Sequence, residues 1–206
     1  MRFDNQPVGC VDIRCCQPAL LGLLIHRHNT LNSGAFKLDS YKPGGSVAPF
    51  PALVLPSGLP AVPPGELDSF CALTEAEGNG GLYVYLLGAL GWGGLERDRL
   101  KLLFLRDVLA KKGRYQSVVE DAFRSLFPIT WAFIQAVNRS DHATLIRALQ
   151  QLEAWLVIHT IAPAVEVPLV TLHDGAYCRR QDTPALKEAF LRGFETVGLR
   201  ASVKVC

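Results

Sequence analysis

The chain has 206 residues, 49% of them hydrophobic, and a formal net charge of +2. That length suits one domain, or one domain with a subdomain, and the apolar content excludes global disorder. No apolar run approaches the ~18 residues of a membrane span, and Met1 leads into Arg2, Asp4 and Asn5 rather than the apolar stretch of a signal peptide.

Six cysteines (Cys10, Cys15, Cys16, Cys71, Cys178 and Cys206) show neither a CxxC pair nor zinc spacing. Reduced, buried thiols and a cytoplasmic location are the expectation. The charge is unevenly spread. Residues 97–114 hold seven Lys or Arg (Arg97, Arg99, Lys101, Arg106, Lys111, Lys112 and Arg114) against Asp98 and Asp107. A basic segment on a near-neutral chain points to an anionic partner, and the plainer reading is a solvated helix face.

In chain order, Val8 to Ile13 reads as a short strand with Asp12 near its end. Gln17-Pro18 opens a helix, since proline suits the first helical position, and Leu20, Leu21, Leu24 and Ile25 give it an apolar face through Arg27. Asn29 to Ser40 is polar and turn-rich. Seven prolines then fall between Pro43 and Pro64, an irregular connection too apolar for a solvated linker.

A helical block starts near Leu67. It continues as Tyr83–Leu90 closed by Gly91, then Glu96–Lys112 ended by Gly113, Tyr115–Leu126 and Pro128–Val137. Next comes a helix over His142–Ile161, capped by Ser140 or Asp141, with Leu145, Leu149, Leu152 and Leu156 at helical spacing. Alternating residues from Pro168 to Cys178 around His173-Asp174-Gly175 predict a β-hairpin over 167–180 with an acid at its tip. Asp182-Thr183-Pro184 caps a helix to Val197, and Ala201–Val205 is a last strand.

Strands at the two ends and helices between them predict an α+β fold. It is a small, mainly antiparallel sheet with packed helices and an inserted all-helical lobe, with a cleft between sheet and lobe. The single domain over 1–206 divides into a sheet-bearing part (1–40 and 141–206), a Pro-rich connection (41–66) and a helical lobe (67–140).

Three features point to one chemistry. Asp12 ends a strand, Asp174 tips a hairpin, and Arg97 and Lys101 lie one helical turn apart on the side that carries Phe104 and Val108. Two aspartates converging from separate strands can hold a pair of Mg²⁺ ions, and two cations on a cleft-facing helix can grip a triphosphate. Taken singly, each aspartate is more simply a turn or cap residue; their combination and order carry the inference.

These motifs resemble the palm and fingers of the single-subunit right-hand polymerases, the DNA polymerase I family and the phage-type RNA polymerases related to it. Val11-Asp12-Ile13-Arg14-Cys15-Cys16-Gln17 resembles motif A, a strand ending in Asp, with Gln17 where the DNA polymerases carry a Glu beside the sugar. Arg97-Asp98-Arg99-Leu100-Lys101 matches the spacing of motif B, and His173-Asp174 matches the hairpin tip of motif C. The resemblance implies a DNA-directed nucleotidyltransferase of the DNA or RNA polymerase type. It also implies two metal ions (Mg²⁺, or Mn²⁺) on Asp12 and Asp174, phosphates held by Arg97 and Lys101, and Lys101 as proton donor to pyrophosphate. It implies that Gln17 contacts the nucleotide and that His173, Gln150 and Glu153 contact template and primer, while Lys111, Lys112 and Arg114 of the basic segment are expected to attract nucleic-acid phosphates.

The chain departs from the family at Leu105, Leu109 and Ala110, where motif B carries an aromatic and then Tyr-Gly, leaving base stacking altered or supplied by Phe104 or Tyr115. Gly175 stands where the DNA polymerases carry Glu, and with Asp12 only the twelfth residue the family's thumb is expected to come from outside these residues. The expected partners are therefore nucleic acid, a nucleoside triphosphate and a separate chain supplying a thumb or N-terminal part, unless the chain is itself part of a longer enzyme; no membrane is expected. The alternatives are a catalytically inactive palm-like nucleic-acid-binding module and a helical interaction protein whose motif matches are chance. His26 and His28 diverge on a helix end, and Cys178, His173 and Asp174 are too close along the chain to face one another as a triad.

Overall fold

The computed structural model describes residues 2–3, 6–32, 51–76, 81–93, 97–200 and 202–206. Its strands are β1 (Arg2–Phe3), β2 (Gln6–Ile13), β3 (Leu169–Leu172), β4 (Gly175–Arg179) and β5 (Val203–Val205). Every pairing is antiparallel. β4 lies along one side of β2 with β3 beyond it, β5 pairs with the end of β2 at Val11–Ile13, and β1 pairs with its first residues. The fold class is α+β, as the sequence predicts.

Alternation along β2 separates two faces. Val11 and Ile13 are buried with Ala176 and Cys178 of β4, on the side covered by α8 (Thr183–Thr196). Asp12 is therefore turned to the opposite face. The first helix, α1 (Cys16–Asn32), has Leu20, Leu21, Leu23, Leu24 and Ile25 all buried. Consecutive residues that span every side of a helix can all be buried only if neighbours surround it. α2 (Pro64–Glu75) and α7 (Thr144–Ala154) both pack on it.

The remaining helices are α3 (Leu82–Leu90), α4 (Arg97–Phe104), α5 (Val118–Leu126) and α6 (Pro128–Val137). Gly91 closes α3 in the left-handed conformation (φ 66°), its N–H donating to the Gly88 carbonyl at 3.1 Å while the Trp92 N–H donates to Leu87 at 3.0 Å, a role for which glycine carries no Cβ penalty. Phe104 packs edge-on against Tyr83 and Phe123, and Phe70 against Phe123 and Phe127, with ring centroids 5.2–6.1 Å apart. Burying each such ring contributes about 1.5–3 kcal/mol. One continuous core runs from Val11 and Ile13 through these rings to Phe190 and Phe194.

Polar contacts fix the joints. The orphan N–H groups at the start of α6 are met from another helix: Glu66 of α2 accepts from Ile129 (3.2 Å) and Thr130 (2.6 Å). The proline-rich connection is described from residue 51 onward, so Pro43 and Pro49 lie outside the described residues. It follows the core as predicted: Leu59 and Val62 are buried, and Asn29 exchanges two hydrogen bonds with the backbone of Val62 (2.7 and 3.1 Å).

Several expectations change. The helix expected to reach Lys112 ends sooner, in a π turn over Leu105–Leu109, and the helix expected to reach Ile161 continues past α7 as a π turn over Trp155–Ile161. Asp182 does not cap α8; its carboxylate pairs with Arg179 at 3.0 Å. Not all six thiols are reduced: Cys10 and Cys206 form a disulfide, while Cys15, Cys16, Cys71 and Cys178 are free. No described helix is long and apolar enough to cross a membrane.

Candidate functional site

The two aspartates expected to act together arrive from adjacent strands. In the β2–β4 register Asp12 lies opposite Gly175, so Asp174 follows immediately beyond, and the Ile13 N–H donates to the Asp174 carbonyl at 3.2 Å. Leu172 pairs with Gly175, which leaves His173-Asp174 as a two-residue turn. His173 has φ 51°, a left-handed value at a position where short hairpins favour glycine. Among the described non-glycine residues only Cys15 (φ 52°) shares that conformation. Backbone held this way costs ~1–3 kcal/mol and needs over-determined surroundings, and here one such residue follows Asp12 and the other precedes Asp174.

Gly175 has a local reason. A Cβ there would lie 2.9 Å from the Val11 carbonyl oxygen and 3.3 Å from Asp12 Oδ1. A side chain would crowd the carboxylate directly across the ladder.

Both aspartates are half-buried. Burial, and then the charge of Asp174, push the Asp12 carboxyl above the usual carboxylate range, while Lys101 and Lys204 pull it back. Glu153 of α7 is raised in the same way, first by burial and then by Asp174. Its Oε2 accepts from Gln17 Nε2 and lies 3.8 Å from the Cys16 thiol. Burial next to Glu153 and Asp174 holds the Cys16 thiol well above its ordinary value. Asp12, Asp174 and Glu153 thus share one partly desolvated, negatively charged neighbourhood, with Gln17 beside it.

The cations come from α4. Lys101 is half-buried, and its charge acts on Asp12, Cys15 and Cys16. Arg97 is exposed, yet its Nη2 is 3.8 Å from Cys15 Sγ and its guanidinium lies 5.7 Å from the centre of the Tyr83 ring. No protein-family model matches the chain, and no curated protein matches it.

Tyr83 is the participant the sequence did not single out. It is 1% exposed, its hydroxyl has no partner among the described residues, and it feels the charges of Arg97 and Asp174. Nothing in the spacing of α3 distinguishes it from a core aromatic.

Other expected participants lie elsewhere. His173 is exposed at the turn, where its charge reaches Glu153. Gln150 is exposed on α7, three residues before Glu153. Lys111 is not free for a ligand: it is bound to the Glu120 carboxylate and the Tyr115 carbonyl. Lys112 and Arg114 are exposed, beside an open depression lined by Arg106, Ala110, Lys112 and Tyr115 that shares no residue with the aspartate cluster. Phe104 is fully buried and so cannot stack on a base, and the Tyr115 hydroxyl is committed to Asp107 at 2.6 Å.

Among the described residues, no group of three or more His, Cys, Asp or Glu side chains is arranged to hold a metal. A two-aspartate set still fits a hard divalent cation. Mg²⁺ commonly takes one or two protein carboxylates and completes its shell with water and substrate phosphates. Asp12 and Asp174 supply hard oxygens, and a divalent cation would offset both the burial and the Asp174 charge that lift the Asp12 carboxyl.

Proposed function

We propose that the chain is a template-directed nucleotidyltransferase with a palm-and-fingers arrangement like that of the single-subunit polymerases. The observation that supports it best is the β2–β4 register, which brings Asp12 and Asp174 to neighbouring positions with Lys101 of α4 acting on Asp12. The reaction joins the 3′-oxygen of a strand to the α-phosphorus of a nucleoside triphosphate; the bond to the β-phosphate oxygen breaks and pyrophosphate leaves.

Asp12 and Asp174 would hold two Mg²⁺ or Mn²⁺ ions, which when bound supply the Lewis acidity that activates the hydroxyl and stabilises the leaving group. Lys101 binds the triphosphate and donates a proton to the departing pyrophosphate, and Arg97 adds a second contact to the same phosphates. Gln17, oriented by its bond to Glu153, lies towards the sugar. His173, Gln150 and Glu153 face the primer and template, and Lys112 and Arg114 attract their phosphates.

Mg²⁺-dependent incorporation of labelled nucleotide into a primed template tests this. Wild-type protein incorporates, and Asp12→Ala and Asp174→Ala do not. Incorporation that survives both substitutions rules out the site. A second reading, a nucleic-acid-binding module without chemistry, is favoured by Leu105, Leu109 and Ala110 in place of the stacking residues and by the burial of Phe104. It expects salt-dependent binding with no incorporation under any condition.

A further inference from the structure

We propose that Lys204, on the last strand, is a phosphate-binding residue of this site and grips the backbone of the strand whose 3′ end reacts beside Asp12. This rests on the polymerase-like reading above. β5 pairs with β2 in the register Val11 to Val205, Asp12 to Lys204 and Ile13 to Val203. Residues directly opposite in an antiparallel pair project from the same face, with Cβ atoms about 4.5–5.5 Å apart. Lys204 therefore emerges beside Asp12, on the sheet face turned away from α8.

The same row continues on the other flank of Asp12 with Gly175 and Leu172. Asp12 thus has a cation on one side and a residue without a side chain on the other. Lys204 is exposed and forms no ion pair with a described carboxylate. Its backbone is fixed on both sides. The Arg14 N–H donates to the Ser202 carbonyl at 2.8 Å, Cys10 and Cys206 exchange backbone hydrogen bonds at 2.9 and 3.0 Å, and the disulfide joins the same two residues. A long cationic side chain on so constrained a backbone is presented, not merely solvated.

Two cations from separate elements therefore serve Asp12, Lys101 from α4 through its charge and Lys204 from β5 through the strand register. A strand-extending reaction brings two anionic groups to one point: the incoming triphosphate, and the last phosphodiester of the strand being extended. With Lys101 on the first, Lys204 is placed for the second. A lysine on a short strand also discourages edge-to-edge association, but that role makes no demand on nucleic-acid affinity.

Anisotropy titrations of a labelled primed template, without nucleotide, separate the two. Wild-type protein, Lys204→Gln and Lys204→Arg are compared across salt concentrations, with thermal melts to verify folding. Loss of one phosphate contact lowers the slope of log K against log salt by about 0.7–0.9. Lys204→Gln is expected to remain folded and to show that change with weaker binding at low salt, and Lys204→Arg is expected to retain the wild-type slope. If Lys204→Gln binds with wild-type affinity and slope, the assignment of Lys204 fails while Mg²⁺-dependent incorporation by wild-type protein still upholds the site. A wild-type protein that binds no primed template overturns both.

Discussion

At the scale of single residues, the site is held at some cost to the fold. The Asp12 carboxyl is raised by burial and by Asp174, so the folded state binds a proton more readily than the unfolded chain. Stability therefore falls as pH rises from the unfolded carboxylate value, near 3.9, through the higher folded value, and it stays lower at neutral pH. In metal-free protein, Asp12→Asn should melt above wild type at pH 7 and lose that advantage at pH 4, and with Mg²⁺ supplied it should incorporate no nucleotide. A lower melting temperature for Asp12→Asn at pH 7 would contradict this electrostatic account. Asp107 has the opposite sign. It is 3% exposed. Arg106 first, then Tyr115 and Ser117, hold its carboxyl down at about 2. Its contribution is present above the unfolded value and lost as pH falls towards 2. Asp107→Ala, which leaves the buried Ser117 hydroxyl unmatched while the exposed Arg106 and Tyr115 turn to water, should cost about 1–3 kcal/mol in chemical denaturation. The placement of Asp12 near a strand end and of Asp174 in a turn was legible in the sequence, because local pattern reveals both. Tyr83 was not, because only tertiary packing distinguishes it from Phe104 or Phe123.

Among the elements, helix starts and the hairpin follow their signals closely. Pro128 opens α6, Gly91 closes α3, and His173-Asp174 forms the turn between β3 and β4. The π turns at Leu105–Leu109 and Trp155–Ile161 carry no proline or glycine to announce them. The first ends with Ala110, ahead of the loop that Asp107 ties down through Tyr115 and Ser117 (2.6 and 2.8 Å). This divides the basic segment into two kinds of lysine. Lys111→Ala breaks a largely buried pair with Glu120, and its main effect should be on the melting temperature. Lys112→Ala and Arg114→Ala, both at exposed positions, should leave the melt unchanged and reduce the salt slope of nucleic-acid binding. The α2–α6 joint offers a separate check: Glu66→Ala strips the acceptor from the first turn of α6 and should cost about 1–2 kcal/mol of unfolding free energy.

For the whole molecule, a fold class of sheet at the ends and helices between was readable from the order of periodic segments. The disulfide was not, because its partners are 196 residues apart and no spacing rule connects them. A cross-link over a loop of that length contributes up to about 5 kcal/mol by restricting the unfolded chain. Reductant should therefore lower the melting temperature of wild-type protein and have no effect on Cys206→Ser, which should melt at the reduced wild-type value. The same bond has a mechanical meaning. With force applied between residues 1 and 206, the covalent link between Cys10 and Cys206 carries the load past everything folded between them. Pulling the oxidised protein should lengthen it by little more than its first few residues, whereas reduction should release a contour of about 700 Å. Under tension, the covalent path runs through residues 1–10 and then the bond, so the chain at Asp12 and Asp174 lies outside that path for as long as the bond lasts.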